Sequence, residues 1–245
     1  MVRQDYQDVD AHVRRLWRRR GTAAPGPRRG PRPQLDLDEI LDAAIALADA
    51  DGLAAVSTRA VAARFDKTAM ALYPYVGTKE NLLALMRDHA SAMPPWDDPD
   101  TGLADALRAW AQALFDVYVA HPWLAERPWA DASQGPNEHD WLERLVGILD
   151  SHGVPPTRRA VAVTMVYATV RACAETSAAY QRLDVRGIEG WRAHAEATGR
   201  WIPDLRERYP LTTRLTPLTP DWRENPRAAV IGAVDLLAVA LSASG

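Results

Sequence analysis

The 245-residue sequence predicts an all-α protein. Apolar residues recur at helical spacing from about residue 35 onward, and residues that favour helix N-termini stand before several of these stretches. No stretch shows the convincing alternation of polar and apolar residues that a half-buried β-strand needs. The sequence divides into a basic arm (1–34) that we expect to be partly disordered, a helical unit (35–93) and a larger helical unit (94–245).

The composition is that of a soluble globular protein, with 47% apolar and 25% charged residues and a formal net charge of −3. No apolar run reaches the roughly 18 residues that a membrane span needs. The lone Cys173 cannot form an internal disulfide, which fits a reducing compartment. The first residues, with Asp5 and Asp8, do not resemble a signal peptide. We therefore expect a cytoplasmic protein with no membrane partner.

Charge is unevenly distributed along the chain. Residues 1–34 carry nine basic and three acidic side chains, a net +6, whereas residues 35–93 carry five and nine, a net −4. A basic arm suggests a polyanionic partner, and the alternative is a solvated tail in an arginine-rich chain. Leu16 and Trp17 belong to a helically spaced apolar set, which predicts that part of the arm folds against another surface. The candidate phosphate contacts in the Gly/Pro-rich linker that follows are Arg28, Arg29 and Arg32.

Two short helices separated by a tight break predict a helix-turn-helix. A first helix begins after Asp36, a favourable N-cap residue, and stops at Gly52. The two short helices are Ser57–Phe65 and Thr68–Tyr75, and a fourth helix begins after Gly77. In a helix-turn-helix, the second short helix enters the major groove of DNA and its first residues reach base edges.

Polar side chains stand where such a unit would meet DNA. Thr58 and Arg59 begin the supporting helix, where backbone N–H groups and a guanidinium can bind phosphate. The chain's two lysines, Lys67 and Lys79, flank the recognition helix. Hydroxyl groups for further contacts come from Thr68, Tyr73 and Tyr75.

The stretch STRAVAARFDKTAMALYPYVGTKENLL (57–83) resembles the DNA-binding signature of the TetR family of ligand-responsive transcriptional regulators. The resemblance extends over about residues 35–93. The remainder resembles the family in layout, which implies a helical domain that binds a ligand and dimerises. The HPWL run at 121–124 and the arginine-rich arm resemble the branch of the family found in actinomycetes.

The resemblance also implies roles for individual residues. The positions that match phosphate or base contacts of the family are Thr58, Arg59, Tyr73, Tyr75 and Lys79. The positions that match the leading face of the recognition helix are Ala69, Met70 and Ala71. Because this face is small and apolar, sequence readout would depend on thymine methyl groups, Arg59 and DNA shape.

The sequence departs from the family pattern at two places. Asp66 and Lys67 replace the usual glycine and apolar residue of the turn, so that Asp66 has to adopt a conformation that glycine adopts freely. Pro74 falls inside the recognition helix, where it removes one N–H donor. We expect that helix to end or distort at Pro74.

The larger unit predicts several further helices. Apolar spacing indicates helices over about 103–120, 136–151 and 157–181, and a less regular region with one helix near 189–198. A last helix would begin with Asn225 as its cap and Pro226 at its first position. This helix is apolar on most sides, which predicts that the protein core and a second subunit cover it.

Aromatic residues are concentrated in the larger unit, and those on converging helices suggest a cavity for a small, aromatic effector. The alternative for each of them is core packing. Arg171 and Glu175 stand four residues apart and either face a ligand or pair with each other. The aromatic candidates are Trp110, Phe115, Tyr118, Trp129, Trp141 and Tyr167.

The motifs favour a DNA-binding regulator over an enzyme. The sequence has no catalytic motif and no histidine or cysteine spacing typical of a metal site, so we expect no catalytic residues, cofactor or metal. The main hypothesis is a transcriptional repressor that binds a palindromic operator as a homodimer and is released by a small molecule. One alternative is an all-α ligand-binding protein or enzyme whose helix-turn-helix no longer binds DNA. Another is an adaptor that binds nucleic acid or an anionic membrane through its arm.

Overall fold

A computed structural model describes residues 6–20, 35–95, 101–126, 133–215 and 218–243. The described residues form helices, turns and loops and contain no β-strand, which confirms the predicted all-α class. Short 3-10 turns lie at Leu53–Ala55, Pro122–Leu124, Thr212–Arg214 and Trp222–Glu224. The α-helices of the described residues are α1 (Tyr6–Leu16), α2 (Leu37–Asp51), α3 (Thr58–Ala63), α4 (Ala69–Val76), α5 (Lys79–Ala90), α6 (Leu103–Ala120), α7 (Pro136–Ser151), α8 (Pro156–Arg182), α9 (Val185–Trp201), α10 (Leu205–Arg208) and α11 (Asn225–Ser242).

The N-terminal unit consists of α2–α5 around a small apolar core. Side-chain caps begin its helices: the Asp36 carboxylate accepts the N–H of Asp38 at 2.7 Å, and the Ser57 hydroxyl accepts that of Ala60 at 3.1 Å. The first contact confirms the predicted N-cap at Asp36, and the second shows that Ser57 caps the helix that was predicted to begin with it. The helices bury their apolar faces against one another, and the fully buried large residues are Ile40, Leu41, Leu72, Leu82, Leu85 and Met86.

The C-terminal unit, α6–α11, has a separate core in which α6, α8 and α11 pack together and α7 lies beside α6 and α8. The predicted cap of the last helix was wrong. Asn225 is the first residue of α11, and its side-chain oxygen accepts the backbone N–H of Thr219 at 3.0 Å instead. Apolar residues on the outer faces of α8 and α11 remain exposed in the single chain, namely Val161, Met165, Leu236 and Val239.

One stretch of the described residues, Trp222–Ser242, is long and apolar enough to cross a membrane by length and composition alone. Arg227 and Asp235 interrupt its apolar run, so the stretch holds no uninterrupted apolar segment of the length predicted for a membrane span. A core helix passes the same test. Val230 and Val234 of this stretch are buried, and α11 packs against α6 and α8.

The two units meet at the N-terminus of α7. The buried Asp88 carboxylate of α5 accepts the backbone N–H groups of Asn137, at 2.9 Å, and Glu138, at 3.2 Å. The Trp141 indole donates to the carbonyl of Ser91 at 2.7 Å. The last turn of α5 therefore satisfies N–H groups that the first turn of α7 cannot satisfy itself.

A second contact joins the end of α2 to the Pro122–Leu124 turn. The Asp49 carboxylate accepts the indole N–H of Trp123 at 2.7 Å and lies 2.9 Å from Nδ1 of His121. Trp123 and Leu124 are buried in the core of the N-terminal unit. The turn that follows α6 is thus anchored on the other unit.

Gly135→Ala is expected to lower the free energy of unfolding by about 1–3 kcal/mol, since it displaces a buried hydrogen-bonded carboxylate. A Cβ at Gly135 would lie 2.2 Å from a carboxylate oxygen of Asp88. Gly102→Ala is the matched control, because Gly102 precedes α6 as Gly135 precedes α7 and has no neighbour within 4 Å. Urea unfolding measures both variants, and equal losses would contradict the expectation.

Asp88 also makes stability depend on pH. Burial raises the pKa of its carboxyl from 3.8 to about 6, against the opposing effect of the N–H groups of Glu138 and Asn137. Folding therefore favours the protonated form, and this contribution is present below about pH 4 and lost as the pH rises through about 6. Relative to Asp88→Asn, the native protein should lose about 2–3 kcal/mol of unfolding free energy between these limits. Urea unfolding of both proteins across this pH range measures the loss. A difference in unfolding free energy between them that does not change with pH would exclude the effect.

Candidate nucleic-acid interface

The turn between α3 and α4 has the geometry of a helix-turn-helix. Asp66 has φ of 54°, which confirms that it adopts the left-handed conformation expected of it. The N–H of Lys67 reaches back to the carbonyl of Ala62 at 3.0 Å, and that of Asp66 to Ala63 at 3.3 Å. This pair of bonds is the Schellman pattern that ends a helix within one turn. It allows α4 to begin three residues later.

Of the two outcomes expected at Pro74, an end of the helix was wrong, since α4 continues through Pro74 to Val76. A proline deprives only the carbonyl four residues earlier, that of Met70, of its intrahelical donor. Pro74 and Met70 lie on the exposed side of the helix, where water can satisfy that carbonyl. The N–H of Gly77 then closes the helix on the carbonyl of Tyr73 at 2.9 Å.

The faces of α4 are clearly divided. Leu72 and Val76, one turn apart, are fully buried in the N-terminal core. The opposite face carries Met70, which is 76% exposed, and Tyr73, which is 55% exposed. The buried face holds α4 in place, and the large exposed side chains on the opposite face are suited to contact the surface of a binding partner.

The other predicted DNA contacts lie around this face. Thr68 occupies the N-cap position of α4, but its hydroxyl makes no capping bond. Tyr75 packs partly against the N-terminal core. The exposed members of the predicted set are Arg59, Lys67, Thr68, Met70, Tyr73 and Lys79. The half-buried members are Thr58, Ala69, Ala71 and Tyr75.

The acidic residues of the N-terminal unit are largely committed elsewhere. Five of the nine acids of residues 35–93 cap helices or pair with other side chains within the described part of the chain. They are Asp36, Asp38, Asp42, Asp49 and Asp88. The net charge of −4 is therefore not a measure of the charge that α3 and α4 present.

The structure describes residues 6–20 of the arm. Arg28, Arg29 and Arg32 lie outside the described residues. Arg18 and Arg19 pair with Asp38, so these arginines are engaged within the chain and not held towards a partner. The expected folding of Leu16 against another surface is confirmed, because its side chain is 3% exposed within the N-terminal core.

Three aromatic residues of the predicted effector group form one packed cluster. The Trp110 ring meets Trp141 at 5.5 Å and Tyr167 at 4.9 Å, both edge to face. The Trp110 indole donates to the carbonyl of Trp141 at 3.0 Å. Since Trp110 and Trp141 are at most 2% exposed, the structure favours core packing for these two.

Phe115 belongs to the same core, and Tyr118 packs against it. Burial raises the pKa of Tyr118 to about 12, so its phenol stays neutral. Arg171 lies 4.0 Å from Glu175, which favours the pairing alternative. Trp129 lies outside the described residues.

A cavity of about 170 Å³ lies between α6, the end of α8 and the start of α11. Aromatic and guanidinium groups lie side by side at its wall. The Arg227 guanidinium lies 4.8 Å from the Phe115 ring, and the Tyr180 ring is packed at 4.6 Å against Trp222. Arg227 also pairs with Asp116 at 2.5 Å. The residues that line the cavity are Phe115, Val119, Ser177, Tyr180, Gln181, Arg223, Glu224 and Arg227.

Sequence reasoning identified only Phe115 of this lining. Several of the others fall near or within residues 183–224, where no periodic pattern indicates which side chains converge. The same is true of Asp88 and Asn137, since a cap supplied by another helix leaves no local signal in the sequence.

Comparisons with known proteins agree with this geometry. Residues 40–86 match the family described as "Bacterial regulatory proteins, tetR family", and residues 94–224 match "Tetracyclin repressor-like, C-terminal domain". The chain is 32% identical over 196 residues to the HTH-type transcriptional repressor DrrR1 of Streptomyces coeruleorubidus, covering 78% of this chain and 72% of that protein. It is 33% identical over 109 residues to an HTH-type transcriptional regulator of Saccharopolyspora erythraea, covering 43% and 45%.

Solved structures share the fold. ActR of Streptomyces coelicolor in complex with actinorhodin has a TM-score of 0.70 at 23% identity, covering 84% of this chain and 96% of that one. Apo ActR has a TM-score of 0.66 at 22% identity, covering 88% and 100%. A helix-turn-helix on a larger helical unit, both family matches and the similarity to DrrR1 lead to one conclusion. The chain belongs to the TetR family of bacterial transcriptional regulators.

Proposed function

We propose that this regulator is a repressor that places α4 in the major groove of a palindromic operator. The observation that carries the proposal is the exposed Met70–Tyr73 face of α4, fixed from behind by buried Leu72 and Val76. Thr68, Ala69, Met70 and Ala71 would read base edges. The residues that would contact phosphate are Thr58, Arg59, Lys67, Tyr73, Tyr75 and Lys79.

A homodimer would present two such helices. The exposed apolar residues of α8 and α11 need a cover, and a second copy of the same faces supplies it with two-fold symmetry. Two recognition helices then meet half-sites that are about 34–36 Å apart, one turn of DNA. The operator is expected to be a pseudo-palindrome for this reason.

We propose further that the protein works in the cytoplasm as a binding protein and not as an enzyme. Its named relatives are transcriptional regulators. Within the described ranges, no group of three or more His, Cys, Asp or Glu side chains could hold a metal ion.

Both alternatives have less support. Loss of DNA binding was inferred from Pro74 and from the acidic N-terminal unit, but α4 is continuous and most of the acids are engaged elsewhere. An adaptor on a membrane needs Val13, Leu16 and Trp17 exposed. Val13 is 46% exposed, but Leu16 is buried. Trp17 is half-buried, packed against the N-terminal core with its indole N–H donating to the carbonyl of Gln134.

The effector is proposed to be an aromatic molecule rich in oxygen acceptors, bound at the cavity beside Phe115. Rings such as Tyr180 can stack on it, while Arg223 and Arg227 can donate to its oxygens. A volume of about 170 Å³ resembles the roughly 150 Å³ cavity that accepts benzene, so one ring would enter. Actinorhodin, which is bound in an ActR structure, is a suitable probe.

Lys79→Glu is expected to weaken binding to the operator and to unrelated duplex alike, by about tenfold or more, because it removes a phosphate contact. Arg59→Ala should also reduce the preference for the operator. Selection from a random duplex pool gives the operator, and fluorescence anisotropy at two salt concentrations gives affinities. Arg206→Glu, on exposed α10, is the control. Failure to select a two-fold-symmetric site, with binding that is insensitive to salt, would refute the proposed function.

Actinorhodin is expected to release the operator from the native protein, and Arg223→Gln should raise the concentration required by about fivefold or more, since a charge-assisted hydrogen bond contributes about 1.5–3 kcal/mol. Arg206→Gln, at the same exposed position as the earlier control, is the control here. Anisotropy of the labelled operator gives the midpoint. If Arg223→Gln and the native protein release the operator at the same midpoint concentration of actinorhodin, the effector does not bind at this cavity. No release at all would contradict the proposed effector class.

A further inference from the structure

We propose that residues 6–20, named the brace here, connect the first turn of α7 to the recognition helix, with Arg15 as a positioning residue for α4. The inference deepens the proposed function and rests on it, because it assigns to the arm a role in orienting the helix that would read DNA. It differs from both sequence-based interpretations of the arm, a phosphate contact and an idle tail.

Arg15 of the brace contacts the segment where α4 ends, just before α5 begins. The Arg15 guanidinium donates to the carbonyl of Pro74 at 3.5 Å. Its other terminal nitrogen lies 3.4 Å from the place where a Cβ of Gly77 would be, and Gly77 has φ of 72°. The last carbonyls of a helix have no intrahelical donor, and a cation there is favourable. Arg15 therefore stabilises the last turn of α4.

The middle of the brace is anchored on the N-terminal unit. Leu16 enters its core, and Arg18 and Arg19 both pair with Asp38 at the start of α2. Burial raises the pKa of the Asp38 carboxyl, but the hydrogen bonds from the two arginines outweigh it and hold the pKa below its ordinary value. The carboxylate thus stays charged and paired in the neutral range.

At the other end, the brace reaches the C-terminal unit. The Trp17 indole donates to the carbonyl of Gln134 at 3.3 Å, and its ring meets that of His139 at 5.5 Å. Arg20 pairs with Asp140. All three partners lie within residues 134–140, the segment that Asp88 also caps.

Besides the bond from the Trp141 indole to Ser91, two connections run from the first turn of α7 to the N-terminal unit. One passes through Asp88 to α5, and the other passes through Trp17 and Arg20 to Arg15 and α4. A shift of the first turn of α7 would change both, so the brace adds a route by which the C-terminal unit influences the recognition helix. A test of this route perturbs one end of the brace and observes the other.

The test uses the full chain without DNA and measures backbone hydrogen exchange by mass spectrometry. Arg20→Gln, at the α7 end, should speed exchange in residues 69–77 by about threefold or more. Arg20 pairs with Asp140 of α7 and also interacts electrostatically with Asp88 of α5, so the comparison with Asp140→Asn shows which partner carries the effect. Asp140→Asn should have the same effect, and the double variant should add nothing, as for two partners of one interaction. Arg14→Gln, on the exposed side of the same helix, is the matched control. Exchange at 69–77 that is equal in Arg20→Gln and Arg14→Gln would overturn the proposal.

A second readout uses the selected operator. Arg15→Gln should reduce the ratio of operator to unrelated-duplex affinity by about fivefold, while Arg14→Gln leaves that ratio unchanged. An unchanged ratio in Arg15→Gln would contradict its positioning role. If the native protein binds no duplex, the proposed function fails, whereas the exchange experiment still decides whether the brace couples α7 to α4.

Discussion

Capping of α7 by the Asp88 carboxylate is the contact on which the arrangement of the two units depends. The carboxylate accepts two backbone N–H groups that have no acceptor within α7, and it does so inside the protein, where an unmet donor is costly. If α5 and α7 separated while staying buried, the Asp88 carboxylate and the first N–H groups of α7 would each lose a hydrogen-bond partner. Gly135 is required beside it, since any side chain there would occupy the position of the carboxylate.

The two units of the regulator have separate cores and meet at one junction, named the joint here, to which the Asp88 cap belongs. The N-terminal core fixes the buried face of α4, and the C-terminal core is built on α6, α8 and α11. Between them lie the start of α7, the brace and the Asp49 contact to the Pro122–Leu124 turn. A ligand can change the spacing of the DNA-binding helices only if it binds one arrangement of this joint more tightly than another.

Local chemistry made most of the helices predictable. Asp36 and Ser57 cap where the sequence indicates, and α7 begins at Pro136 as its pattern predicts. The errors come from surroundings that helical spacing does not record. Pro74 is tolerated on the exposed side of α4, and the side chain of Asn225 is taken by Thr219, 6 residues away. The roles of Arg18, Arg19 and Asp88 were out of reach, since each partner is distant in sequence and no local spacing records it.

The most direct test of the joint is a distance between the two heads of the dimer. A spin label at Arg64→Cys, an exposed position after α3, in a Cys173→Ser background gives one label per subunit. Double electron–electron resonance then reports how uniform the head separation is. We expect one narrow distribution for this protein and a clearly broader one when Asp88→Ala is added, because α7 has lost its cap. Identical distributions would show that the Asp88 cap does not hold the heads in place.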